Sequence, residues 1–203
     1  MCQFIETIKI ENGQPINLSF HQKRLDSTRK HFFINPKPIS LKTTIKFPEN
    51  LPANKIYKCK IVYGQNIESI SFTPYTLKNI QSLQIVRVTN LDYSYKYKDR
   101  SKLELFFESR GDADEVLFVQ SGYITDISYA NTVLFHPEKG WVTPQHYLLN
   151  GIQRQKLLEE GKIITQPIRV EDLNQYHYLS IINAMIGLGE GPQIKIDNIK
   201  QDF

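Results

Sequence analysis

Residues 114–154 read DEVLFVQSGYITDISYANTVLFHPEKGWVTPQHYLLNGIQR, and the spacing of apolar and polar residues in this stretch decides the fold. Two apolar runs, Val116–Val119 and Thr132–Phe135, predict buried strands, because turn residues bound both of them. Residues 141–144 are predicted to form the last part of a third short strand. The polar passage 125–131, which contains a single carboxylate, is predicted to connect the first two strands.

The same stretch ends in the predicted start of a helix. Asn150-Gly151 precedes a first helical turn formed by Ile152, Gln153 and Arg154. The first N–H groups of a helix have no intrahelical acceptor, and the positive end of the helix dipole lies beside them. This position is therefore predicted to bind an anion.

Composition excludes several classes of protein. The chain has 203 residues and 40% hydrophobic content, enough for one domain or two small ones. Cys2 and Cys59 are too few for a disulfide framework or a zinc site, so no metal is predicted. The formal charge of +4 comes from basic residues scattered among acids, which argues against a nucleic-acid partner. No apolar run is long enough to cross a bilayer and no signal peptide is present, so we expect no membrane partner and a cytoplasmic location.

Residues 1–80 predict a small α/β unit. Alternation from Phe4 to Ile10 predicts a strand, Asn12-Gly13 a turn, and residues 15–18 a return strand. Ile56–Tyr63 and Ile67–Phe72 alternate in the same way and predict a hairpin with one wet face.

Two helices are predicted within this unit. Ser19, followed three residues later by Gln22, fits a capping box, so we expect a helix from about Phe20 to Phe32. Residues 41–47 predict a second short helix that Pro48 terminates.

The region after residue 80 begins with a predicted strand at Leu83–Val88 and later contains a helical pattern at Leu103–Phe107. Residues 96–102 are rich in lysine and arginine. By residue type alone they favour a solvated edge strand.

A set of short motifs follows in a specific order along nearly the whole chain. They are Phe4-Ile5-Glu6-Thr7, His21–Leu25, Lys96–Arg100, Ala113-Asp114-Glu115, Gly122–Asp126, Asn131, Thr143-Pro144, Asn150–Arg154 and Asn183-Ala184. Together they resemble the fold-type IV pyridoxal phosphate enzymes, the class IV aminotransferase superfamily. That superfamily includes branched-chain and D-amino acid aminotransferases and aminodeoxychorismate lyase.

The resemblance implies an α/β (α+β) fold with two domains. Residues 1–80 would form the small N-terminal α/β domain, and residues 81–203 the larger, β-rich domain that binds pyridoxal 5'-phosphate. It also implies a homodimer.

The resemblance assigns the catalytic lysine to Lys96, which would bind the cofactor covalently. The lyases carry a lysine three residues before Asn and four before Arg, and Asp99 and Arg100 occupy those positions here. Asp126 matches the acid that faces the ring nitrogen, a position more often Glu in the relatives. Read alone, Lys96 could be a surface lysine and Asp126 a turn residue.

The remaining assignments concern the cofactor's phosphate. Arg24 matches the phosphate-binding arginine, although a solvated helix charge is the alternative. The N–H groups of Ile152 and Gln153 would form one side of a phosphate cup, and the Asn183-Ala184 loop another. For Asn183, a simple strand-ending turn is equally consistent.

Two enzymatic functions remain open. The short chain and the Lys-to-Arg spacing favour a lyase that forms 4-aminobenzoate and pyruvate from aminodeoxychorismate, and a branched-chain or D-amino acid aminotransferase is the alternative. A cofactor-free binding module would be expected to lack Lys96 or Asp126, and both are present. Four undistinguished side chains are candidates to bind a substrate carboxylate, namely Arg87, Lys60, Tyr95 and His146.

Overall fold

A computed structural model describes residues 2–201, which form two compact units. The first comprises residues 2–76 and 95–99, and the second residues 77–94 and 100–201. The prediction placed the domain boundary near residue 80 and therefore assigned residues 95–99 to the second domain. In the structure these residues belong to the first unit. Backbone hydrogen bonds place this segment with the first unit, because Ile5 N–H donates to Lys96 O at 2.9 Å and Lys98 N–H to Gln3 O at 2.9 Å.

The first unit is a four-stranded antiparallel sheet covered by helices on one face. Its elements are β1 (Phe4–Glu11), β2 (Gln14–Pro15), α1 (Leu18–Phe32), α2 (Leu41–Thr44), β3 (Tyr57–Tyr63) and β4 (Ile67–Pro74), with strand order β2-β1-β3-β4. The predicted alternation is confirmed, since every second residue of β3 and all but Glu6 of the corresponding residues of β1 pack in one core with Leu25 and Leu41.

Three local predictions in this unit were wrong. Helix α1 begins at Leu18 after Asn17, whose φ of 55° is left-handed, and no Ser19–Gln22 capping box forms. Gln22 instead donates to Ile39 O at 2.7 Å and accepts from Leu41 N–H at 2.7 Å, which ties α1 to α2. The return strand is only two residues long because the helix starts so early, and α2 ends at Thr44.

The second unit is built on a larger mixed sheet. Its elements are β5 (Leu83–Val88), α3 (Ser101–Phe107), β6 (Glu115–Gln120), β7 (Tyr123–Ile127), β8 (Asn131–His136), β9 (Gly140–Pro144), α4 (Ile152–Glu159), β10 (Ile164–Gln166), β11 (Tyr178–Ile182), β12 (Ile194–Lys195) and β13 (Ile199–Lys200). The strand order is β10-β9-β8-β7-β6-β5-β13, and β11 pairs with both β8 and β12.

This sheet confirms the predicted α/β class and most of the predicted strands. Strand β6 is buried throughout Val116–Val119, which explains its unbroken apolar run. The prediction for residues 125–131 was wrong in part, because Thr125, Asp126 and Ile127 belong to β7 and only residues 128–130 turn. Within residues 2–201, no helix has the length and apolarity needed to span a membrane.

Candidate active site

Lys96 lies at the edge of the first unit's sheet, beside the amino end of β1. Tyr97 forms an antiparallel bridge with Phe4, and the Lys96 carbonyl accepts the Ile5 N–H. Tyr97 N–H also donates to Tyr95 O at 2.9 Å, so Lys96 is the central residue of a three-residue turn. The backbone of the predicted catalytic lysine is therefore held on both sides.

The two tyrosines that flank Lys96 anchor this turn by packing. The ring centroid of Tyr95 lies 4.8 Å from that of Phe32, and the centroid of Tyr97 lies 5.3 Å from that of Phe4. Tyr95 also stacks on His31 at 5.0 Å. Tyr95 was one of the four candidates for binding a substrate carboxylate. Its ring is instead packed against the rings of Phe32 and His31.

Arg24 is bound to a buried carboxylate that the sequence analysis did not assign to the site. Its Nε donates to Glu6 Oε1 at 2.7 Å and its Nη2 to Glu6 Oε2 at 2.6 Å. The Arg24 side chain is 13% exposed and that of Glu6 is fully buried. The alternative that Arg24 is a solvated helix charge was therefore wrong, because its side chain is mostly buried and neutralises Glu6.

His21 completes this cluster. Its Nδ1 lies 2.5 Å from Glu6 Oε2, and its Nε2 is buried without a hydrogen-bond partner among residues 2–201. Burial raises the pKa of Glu6, but Arg24 and His21 outweigh it and bring that pKa down to about 2. Burial lowers the pKa of His21, against the opposing effect of Glu6. A neutral His21 then donates its Nδ1 proton to Glu6, which leaves Nε2 as a buried acceptor.

Asp126 is the corresponding carboxylate of the second unit. Its Oδ1 accepts from Asn131 Nδ2 at 2.8 Å, and its Oδ2 accepts from the N–H groups of Leu148 and Leu149 at 2.9 and 3.0 Å. The residue is 5% exposed and makes no ion pair with any residue in the described part of the chain. Burial raises its pKa to about 6, although these donors and the Arg154 cation oppose the shift.

Asn131 joins the elements around Asp126. Besides Asp126, its Nδ2 donates to Leu149 O at 2.8 Å. A Cβ on Gly151 would overlap Asn131 Oδ1 and lie 3.2 Å from Asn131 Cγ, so only glycine admits this approach. Gly151 is also the N-cap of α4, which places the helix start next to Asn131.

The predicted start of α4 at Ile152 is confirmed. Ile152 and Gln153 are buried, and the first turn contains no acidic residue. Arg154 is also buried, donates to Pro144 O at 3.1 Å and to Asn150 Oδ1 at 3.2 Å, and its guanidinium lies 4.4 Å from the Tyr147 ring centroid. The helix start therefore combines N–H groups with a buried cation, and its own first turn contributes no acidic residue.

The Asn183-Ala184 loop is positioned next to Asn131 by the pairing of two strands. Strand β11 pairs with β8 so that Ile182 lies opposite Asn131, and Asn183 follows directly. Asn183 Oδ1 accepts from Met185 N–H at 2.8 Å and from Ile186 N–H at 3.1 Å. The side chain of Asn183 thus shapes a strand-ending turn.

Each unit therefore gathers its own predicted site residues. The first holds Lys96 and Arg24, and the second holds Asp126, Ile152, Gln153, Asn183 and Ala184 around Asn131. Arg87 is exposed on β5, and the His146 ring lies 4.5 Å from the Tyr123 ring centroid. Sequence reasoning missed the site partners Glu6 and His21. A signal existed, because Glu6 occupies a core-facing position of β1 and a carboxylate there requires a partner.

Comparisons with known proteins identify the family of the chain. The family described as amino-transferase class IV matches residues 3–194. An uncharacterized protein of Haemophilus influenzae is 36% identical over 190 residues, which covers 93% of this chain and 100% of that protein.

Solved structures match as well. A crystal structure named "putative 4-amino-4-deoxychorismate lyase" from Haemophilus somnus 129pt is 34% identical with a TM-score of 0.83, covering 92% of this chain and 98% of the other. A hypothetical aminotransferase from Mycobacterium tuberculosis in its PLP-bound form has a TM-score of 0.70 at 14% identity, covering 98% of this chain and 84% of the other. At that identity the second likeness shows the fold alone.

Proposed function

We propose, from the premise that this chain belongs to the class IV aminotransferase family, that it is a pyridoxal phosphate-dependent lyase. Its reaction would convert 4-amino-4-deoxychorismate into 4-aminobenzoate and pyruvate. The observation that carries the cofactor assignment is Asp126, a buried carboxylate held by neutral donors and without an ion pair among residues 2–201. Such a group is stabilised in its charged form by a cation on its ligand, and a protonated pyridine nitrogen is one.

The donor groups also fit the rest of the cofactor. A phosphate dianion is bound well by N–H groups at a helix start, and the first turn of α4 offers these. Arg24 uses Nε and Nη2 on Glu6, so its assignment to the phosphate rests on the family resemblance. The unpartnered Nε2 of His21 suits a hydrogen-bond donor such as a ligand hydroxyl or the Lys96 ammonium.

The proposed chemistry divides between the cofactor and the protein. Pyridoxal phosphate, when bound, supplies an aldehyde that captures an amino group and a ring that accepts electrons released at the neighbouring carbon. Asp126 would keep the ring nitrogen protonated, so that the ring stays electron-poor. Lys96 Nζ would take the proton from the substrate carbon that bears the amino group, which requires Lys96 to be neutral at that moment.

In the lyase reaction, loss of this proton is followed by breakage of the C–O bond to the enolpyruvyl group. The six-membered ring becomes aromatic, and the departing enolate takes up one proton to become pyruvate. The Lys96 ammonium can return the proton that it removed, so no external acid or acceptor is required. An aminotransferase would instead use Lys96 to deliver the proton to the cofactor and would need a second substrate to complete its cycle.

Two observations support the lyase. The Haemophilus somnus structure named for this activity is similar to this chain at 34% identity over 98% of its own length. The sequence also carries the spacing from Lys96 to Arg100 that resembles the lyases. A homodimer belongs to the same proposal and rests on the family resemblance, and a cytoplasmic location stays the expectation drawn from the sequence.

The experiment that separates the two functions is an assay without a keto acid. The protein loaded with pyridoxal phosphate is expected to form 4-aminobenzoate from 4-amino-4-deoxychorismate over many turnovers, and its aldehyde absorbance should persist when D- or L-amino acids are added alone. Stoichiometric conversion of the cofactor to the pyridoxamine form by a branched-chain or D-amino acid, with no aromatic product, would instead establish an aminotransferase.

A further inference from the structure

Three lysines of the first unit lie on the same face of its sheet. The register pairs Lys9 with Lys58 and Thr7 with Lys60 across β1 and β3. The alternate residues of both strands fill the core under α1, so these three lysines project from the opposite face.

This arrangement is unfavourable for the protein by itself. Like charges directly opposite each other on neighbouring strands destabilise a sheet, and Lys9 faces Lys58 in this way. Lys9 is compensated by Glu11 at 3.2 Å. Lys58 and Lys60 are half-buried, and their ammonium groups make no hydrogen bond or ion pair within residues 2–201. An anionic ligand would balance the charges of these two ammonium groups.

The cross-strand neighbours on β4 supply no acid either. Lys58 pairs with Thr73 and Lys60 with Ser71, so hydroxyl groups flank both lysines. Ammonium and hydroxyl groups together are the donors that carboxylates accept from.

The formal charge is distributed unevenly between the two units, and the first unit, which carries these lysines, is the positive one. The first has 13 lysines and arginines against 6 acidic residues, a formal charge of +7. The second has 12 against 14, a formal charge of −2. The first unit therefore attracts anions, and its unpartnered lysines lie where a small anion can be held.

The position of this face relative to Lys96 indicates which anion it binds. Lys96 lies beside Ile5 on one edge of β1, and Lys60 lies beyond β1, opposite Thr7. Two strand spacings and two residues along the strand separate the backbones of Lys96 and Lys60 by roughly 12 Å, which two lysine side chains and a small molecule can span.

We propose that Lys60, supported by Lys58, binds a carboxylate of the substrate that is remote from the amino group processed at Lys96. This inference rests on the proposed function. It restricts the substrate class to amino compounds with two carboxylates. 4-Amino-4-deoxychorismate and acidic amino acids belong to that class, and branched-chain amino acids do not.

The test measures binding of unreactive carboxylates by calorimetry. Glutarate, a dicarboxylate, and butyrate, a monocarboxylate, are titrated into the native protein, into K60M and into the matched control K55M, whose lysine is exposed on a loop of the same unit. We expect the native protein and K55M to bind glutarate at least about tenfold more tightly than butyrate, and K60M to lose this preference, as for loss of one charge-assisted contact.

Equal affinity for the two acids in the native protein, or an unchanged preference in K60M, would overturn the inference. The titrations are carried out both with and without pyridoxal phosphate. Failure of the protein to retain the cofactor would count against the proposed function, and the glutarate preference could still be read from the cofactor-free protein.

A stability measurement provides an independent readout. K58M relieves the repulsion with Lys9 while keeping an unbranched side chain, so the thermal midpoint of the free protein should rise at low salt. A lower midpoint would show that Lys58 serves the fold and not a ligand.

Discussion

Glu6 and Asp126 are both buried carboxylates, and the two units treat them in opposite ways. Glu6 is paired with the Arg24 guanidinium and with His21, and its pKa falls to about 2. Asp126 receives three hydrogen bonds from neutral donors, and its pKa rises to about 6. The charge of Glu6 is balanced by a side chain of the protein, whereas among residues 2–201 no cation contacts Asp126.

Glu6 is therefore satisfied within the fold, and Asp126 is the carboxylate that the proposed function pairs with a cation on the ligand. A buried carboxylate that already has an arginine gains little from a further cation. A buried carboxylate held only by amide donors is stabilised in its charged form when a cation binds, and the cofactor proposed here carries one.

The largest expected effect comes from breaking the Glu6–Arg24 pair. R24M leaves the Glu6 carboxylate buried without its arginine, so the free energy of unfolding should fall by about 3–5 kcal/mol. Urea unfolding monitored by fluorescence measures this change. The double variant E6Q/R24M, which removes the stranded charge, should lose less than R24M. Equal losses in both variants would mean that Glu6 does not depend on Arg24.

Asp126 gives a smaller effect with a distinct pH dependence. Its folded-state pKa of about 6 exceeds the unfolded value of 3.8, so the folded protein holds the proton more tightly between these two values. The free energy of unfolding therefore loses about 3 kcal/mol as pH rises through this window. In D126N the loss should be absent.

The measurement compares urea unfolding of the cofactor-free native protein and D126N from pH 3 to 7. The difference between the two cancels the contribution of other titrating groups such as His21, whose lowered pKa acts in the opposite direction. A difference that stays constant with pH would show that Asp126 is not held in the state described above.

The smallest expected effect concerns the glycine that lets Asn131 reach Asp126. Gly151 has a φ of −66°, so G151A adds no backbone strain, but its Cβ would displace the Asn131 side chain. We expect a loss of about 1–3 kcal/mol in the free energy of unfolding. G64A is the matched control, because its Cβ would come no closer than 3.4 Å to the nearest atoms. Similar losses in G151A and G64A would remove the argument for a close approach.

Sequence reasoning succeeded where one local pattern was sufficient. The strand Leu83–Val88 was predicted with the bounds that the structure has, because β-branched apolar runs between turn residues have few alternatives. The start of α4 at Ile152 followed from a glycine placed directly before a helical pattern.

Sequence reasoning failed where a side chain bonds to residues that are distant in the sequence. Ser19 and Gln22 fit a capping box, but Gln22 is used by Ile39 and Leu41, which come nearly twenty residues later. The bond between Glu6 and Arg24 likewise joins residues eighteen positions apart, and no spacing within either segment indicates it. The short strand around Asp126 was missed because it has only five residues, Tyr123–Ile127, and their polarity is mixed.

The central claim is that Lys96 binds pyridoxal phosphate covalently while Asp126 serves its ring nitrogen. The most direct measurement is borohydride reduction of the protein incubated with pyridoxal phosphate, followed by peptide mapping. We expect a single stable label on Lys96, with K96A unlabelled and D126N labelled but altered in cofactor absorbance. A label on Lys98 would contradict the assignment of Lys96, and no label on any lysine would contradict the function proposed here.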